Sequence, residues 1–116
     1  MGARINFIFK QDESGHNVTL YSHWGEDTWR EDLARALDTA KPRWSRVSDP
    51  SYAIRIVVSQ LIGESWNGET GYGLFVSKDE DREWLDTSVL IDFVNKTVAG
   101  KSFDNFINYH KEEAHA

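Results

Sequence analysis

Apolar and polar positions alternate at the start of the chain. Ile5, Phe7 and Phe9 alternate with Asn6, Ile8 and Lys10. That spacing turns successive side chains to opposite faces and predicts a strand. Residues 11–15 read Gln-Asp-Glu-Ser-Gly, which is turn chemistry. A second strand follows, with Val18 and Leu20 on one face and Thr19, Tyr21 and His23 on the other. The short polar connection predicts an antiparallel hairpin.

The period then becomes helical. Trp29, Leu33, Ala36, Leu37 and Ala40 form a stripe that opens at Asp27-Thr28 and stops at Pro42. Glu31 and Arg35 stand four apart, the spacing of a favourable pair. Asp49-Pro50 opens a second helix, since Asp caps and Pro suits the first helical position. Its stripe is Ile54, Val57, Val58, Leu61 and Ile62, and Gly63 fits the left-handed position after it. Residues 54–58 also have high strand propensity. The caps and the length of the stripe decide for a helix.

After a loop over residues 64–71, Tyr72, Leu74 and Val76 alternate as a third strand. The acidic run over residues 79–83 reads as a solvated connection. Val89, Ile91 and Phe93 give a fourth strand, and Asn95-Lys96 turns into a short fifth one around Val98. Ser102 caps a last helix that carries Phe103, Phe106, Ile107 and His110 on one side. The order ββααβββα predicts an α+β fold, with an antiparallel or mixed sheet of about four or five strands and helices mainly on one face. Residues 1–110 read as a single domain, and residues 111–116 as a tail that frays.

Composition narrows the function. The 116 residues carry 19 acidic and 13 basic side chains, a net charge of −6, which argues against general nucleic-acid binding. With no cysteine, disulfides, thiolate metal sites and cysteine nucleophiles are excluded. The histidines His16, His23, His110 and His115 show no metal-ligand spacing, so no metal is expected. The glycine turn and closing glutamate of a calcium loop are missing from the acidic run. Neither a nucleophile elbow nor a phosphate-cradling glycine loop occurs. No catalytic residue and no cofactor is therefore assigned. The first six residues enter a strand pattern at once, and the apolar-rich run over residues 53–62 is too short to span a bilayer. A soluble cytoplasmic protein with no membrane partner is expected.

Several ordered segments resemble a known group. Leu20-Tyr21-Ser22-His23-Trp24-Gly25 ends the second strand, and Tyr52 and Arg55-Ile56 lie on the second helix. Thr70-Gly71-Tyr72-Gly73 leads the third strand, and Val89-Leu90-Ile91-Asp92 is followed by a turn and Val98. In that order, across residues 4–108, the chain resembles a family of small uncharacterised bacteriophage and prophage proteins. Members often read His-Trp-Gly-Gly or His-Trp-Asp-Gly, whereas Glu26 follows Gly25 here. The resemblance implies a phage or prophage origin and an accessory role in the cytoplasm of a bacterial host. It implies no particular activity.

Two segments could carry recognition. Between Lys41 and Arg55 four basic residues stand against the single acid Asp49, whereas residues 64–92 hold eight acids and two bases. Arg43 and Arg46, the amino end of the second helix and the ring of Trp44 could together take an anion such as a nucleotide. The plainer alternative plugs Trp44 into the core and leaves the arginines in water. His23 and Trp24 stand at a strand end before a glycine, where sites often lie. A ligand site is expected where His23, Trp24, Arg43, Trp44, Arg46, Tyr52 and Arg55 meet. Arg55, inside an apolar run, is expected to pair with Asp92 or Asp49.

The leading function class is a binding protein, with a host protein or an anionic small molecule as partner. An enzyme of an unrecognised type and a structural virion component are the alternatives. A second strand face bearing Ile8, Tyr21 and Leu90 would need cover, which predicts a homodimer or higher homo-oligomer.

Overall fold

In the computed structural model, which describes the backbone of residues 4–23, 28–84 and 87–115, the first alternating segments are β1 (Ile5–Lys10) and β2 (His16–Ser22). The helical stripes are α1 (Trp29–Thr39) and α2 (Pro50–Ile62). Next come β3 (Tyr72–Lys78), β4 (Ser88–Asp92), the two-residue strands β5 (Thr97–Val98) and β6 (Lys101–Ser102), and α3 (Phe103–His115). The class is α+β with a mixed sheet, as the change of period predicts. β6 is additional to the strands expected, because a two-residue strand has no periodicity to read. α3 takes in residues 111–115, the segment expected to form a tail.

The strand order is β3-β2-β1-β4-β5-β6. β1 lies between β2, antiparallel to it, and β4, parallel to it. Ile5, Phe7 and Phe9 face the helices and join Leu20, Val89 and Ile91 in the core. α1 packs between α2 and α3 on that face. Asp49 caps α2 by accepting from the Tyr52 N–H, and Gly63 follows the helix at φ +59°. The Ser102 hydroxyl caps α3 by accepting from the Asn105 N–H. In α1 the expected Glu31–Arg35 pair is replaced by Arg35–Asp32 at 2.6 Å, three residues apart on the same side.

The second face of the sheet departs from expectation. Ile8 and Thr19 are 0% exposed, and Asn6, Asn17 and Ser77 are also buried. The Thr19 and Ser77 hydroxyls share a hydrogen bond of 2.8 Å, and Asn17 Nδ2 donates to Asp79 Oδ1 at 2.8 Å. The Asp79 N–H donates to the Gly15 carbonyl. β3 and β4 flank the β2–β1 pair from opposite sides, so the chain must cross the sheet between them. Residues 79–81 begin that crossing on the second face. The acidic run is thus anchored to the sheet by Asp79. Ile8, expected to need a second subunit for cover, is buried within one chain, while Tyr21 and Leu90 are half-buried.

Asp92 is buried and closes the β4–β5 turn. Its Oδ1 accepts from the Val94 and Asn95 N–H groups at 2.8 and 3.0 Å, and its Oδ2 accepts from Asn95 Nδ2 at 3.0 Å. Replacing it strands three donors. Asp92→Ala is expected to lower unfolding free energy by about 2–4 kcal/mol, measured by urea denaturation.

Candidate functional site

Beyond α1 the chain does not stop at Pro42 but continues through a five-residue wide helical turn, Pro42–Arg46. Trp44 in this turn is buried. Its Nε1–H donates to the Leu37 carbonyl at 2.9 Å, and its ring meets Phe103 edge-on at 4.9 Å. Phe103 in turn meets Phe93 at 5.0 Å. Trp44 is therefore a core plug, as the plainer alternative holds, and offers no stacking surface to a ligand. With its ring fixed inward, the neighbouring Arg43 and Arg46 are exposed.

Tyr52 and Arg55 stand three apart on α2 and share its outer side. Tyr52 is 54% exposed, and the Arg43 guanidinium lies 5.1 Å from the centre of its ring. Arg55 is exposed and, among the described residues, makes no ion pair with an acid. The expected pairing with Asp92 or Asp49 does not form, because each carboxylate is used by its own turn or cap. Val47 is also exposed beside the turn. Arg46 borders a shallow cleft of about 340 Å³ with Asp38, Lys41, Pro42 and Ser45. Lys41 is already paired with Asp104 at 3.2 Å.

His23 is elsewhere. It follows β2 at the end of the sheet where Ile5 pairs with Ser22, and its Nδ1 is 3.1 Å from the Tyr21 hydroxyl. Its N–H donates to the Gly71 carbonyl. Trp44 and Asp49 stand at the opposite end, beside Phe93, whose N–H bonds to Lys10. α1 runs between the two ends, and its 11 residues span about 16 Å. The structure thus joins Arg43 to Tyr52, with Arg55 on the same side of α2, and separates them from His23, while Arg46 borders the cleft beside Lys41 instead. Trp24 lies outside the described residues.

Thr19, on the second face of the sheet, is buried against Ser77, and Asp92 is spent on its turn. The α2 amino end expected to hold an anion has its Tyr52 N–H taken by Asp49. Sequence reasoning missed Val47 as part of the exposed surface, since a single valine in a loop carries no periodic signal.

Among the described residues, no three His, Asp or Glu side chains converge as a metal site, and no helix is long and apolar enough to cross a membrane. No family model matches the chain, and no curated protein and no solved structure matches it either.

Removing the α2 cap with Asp49→Ala is expected to cost about 1 kcal/mol of stability. Arg43→Ala, which removes only an exposed ring contact, is expected to cost less than about 1 kcal/mol. Thermal unfolding of the two variants checks the order.

Proposed function

We propose that the chain is a small phage-type accessory protein that acts by binding, and that it docks an acidic surface of a host polypeptide on the Arg43–Tyr52–Arg55 side of α2. The observation that carries this is the exposure of Arg43 and Arg55 beside exposed Tyr52, with exposed Arg46 and Val47 at the preceding turn, in a chain of net charge −6. Among the described residues none of these arginines has an acidic ion-pair partner. Arginine and tyrosine are the side chains that concentrate binding energy at protein interfaces. A local basic surface on an acidic molecule attracts an acidic partner in one orientation and repels it in others.

A second reading, an anionic nucleotide-like ligand, is favoured by the cleft beside Lys41 and Arg46. It is placed second because the α2 amino end is occupied by Asp49 and, among the described residues, no aromatic ring borders that cleft.

The test is affinity capture from a bacterial host lysate, followed by calorimetry with the purified partner. Arg43→Ala, Arg46→Ala and Arg55→Ala combined are expected to weaken binding by about 100-fold or more. Binding of the unmodified protein should also fall steeply with salt. A partner that binds the triple variant equally well refutes the docking face. Phosphorylated small molecules in native mass spectra of the purified protein, lost with Arg46→Ala, would put the second reading first.

A further inference from the structure

We propose that two copies of the chain associate through β3 about a two-fold axis at Leu74, joining their sheets edge to edge. β3 is at the edge of the sheet, and among the described residues no strand lies beyond it. Its hydrogen-bonding parity is fixed at both ends. The His23 N–H bonds to the Gly71 carbonyl, and the Asp79 N–H bonds to the Gly15 carbonyl. Both fall on the β2–β3 register, so the odd residues of β3 bond to β2. Tyr72, Leu74, Val76 and Lys78 therefore turn their N–H and C=O groups outward.

The Lys78 N–H is taken by the Asp81 carboxylate at 2.9 Å. That leaves Tyr72, Leu74 and Val76 as the open edge. Exposed edges in natural sheets are blunted by charge, proline or a bulge, and residues 72–77 contain no charge and no proline. Instead they expose apolar side chains on both faces: Leu74 55%, Val76 68% and Phe75 39%.

These features are self-complementary in one register. An antiparallel pair centred on Leu74 sets Leu74 opposite Leu74 of the second copy and Tyr72 opposite its Val76. All three open residues of each strand are then used, and none that is already bonded. On the other face Phe75 lies opposite Gly73 of the second copy. A Cβ placed on Gly73 would meet nothing within 4 Å, so the space over it is open to receive the ring. Cross-strand packing of an aromatic ring over an edge glycine is a known stabilising pair. On the helix side, Val76 of the second copy enters beside Tyr72, at the mouth of a groove of about 170 Å³ bordered by Trp66, Gly68 and Leu74.

The neutral strip within β3 permits the same register. Two molecules of net charge −6 repel, so they can meet closely only along a neutral or opposite-charged strip. β3 is neutral from Tyr72 to Ser77, so this register sets no like charges against each other within the strand; just beyond it Lys78 falls opposite Thr70 and Asp79 opposite Glu69 of the second copy. The overlap is short, so the interface is small and the dimer dissociates on the order of 100 μM.

The experiment uses the isolated chain, without any partner for the arginine face, so its result is independent of that proposal. Sedimentation equilibrium is expected to show monomer at about 5 μM and mostly dimer at about 500 μM. Over the same range the amides of Tyr72, Leu74 and Val76 should exchange with deuterium several-fold more slowly, while those of Gly73 and Phe75, already bonded to β2, should not change. Leu74→Lys sets like charges face to face at the axis and should weaken the dimer about 100-fold. Should that variant fail to fold, exchange in the unmodified chain still decides. The proposal is overturned by a monomer at the highest concentration, by a dimer whose Leu74 and Val76 exchange is unchanged, or by a folded Leu74→Lys chain that dimerises normally.

Discussion

β1 must be closed on both faces, and the rest of the molecule is arranged around that need. It is flanked by an antiparallel strand on one side and a parallel strand on the other, with Ile5, Phe7 and Phe9 on one face and Asn6 and Ile8 on the other. Strands in a parallel pair are stable when both their faces are covered. The three helices cover the first face. The passage of the chain from β3 towards β4 begins over the second. Polar side chains there are matched with each other, Thr19 with Ser77 and Asn17 Nδ2 with Asp79, while the buried Asn17 Oδ1 has no hydrogen-bond partner among the described residues.

That pairing also fixes register. A shift of β2 or β3 by one residue would carry the apolar row outward and drive Thr19, Asn17 and Ser77 into the helical core. The two faces therefore reinforce one alignment by different means, one by apolar packing and the other by directional hydrogen bonds. The two edges of the sheet are unequal. At one edge β6 is two residues long and begins with Lys101, which suits a solvated edge. The other edge is the seven-residue β3, extending past the cover of α2 with its apolar row in the open.

Much of this order was legible in the sequence where local chemistry dictates it. Asp49, Pro50 and Gly63 mark both ends of α2 despite the strand propensity between them, because capping groups act within a few residues. Ser102 and the row Phe103, Phe106, Ile107 and His110 mark the start and the buried side of α3. The burial of Ile8 was not legible, because it shares its face with the polar Asn6, Asn17, Thr19 and Ser77, a pattern that reads as solvent-facing although these residues too are buried. The candidate site failed for a different reason. His23 and Arg43 are near in sequence, yet a straight helix lies between them and carries them to opposite ends of the sheet. The arginine–tyrosine neighbourhood was legible because α2 itself brings Tyr52 and Arg55 to one side, and Trp44 anchors the turn beside it.

The parallel pairing of β1 with β4 has a consequence for synthesis. Asn6 is matched to Ser88 and Lys10 to Asp92, so the central strand meets its second neighbour only after about 80 more residues have been made. At about 5–20 residues per second, the nascent chain spends several seconds with the apolar β1–β2 hairpin open along one side. During that interval one side of β1 is without its neighbour, and a translational pause before residue 88 would lengthen its exposure.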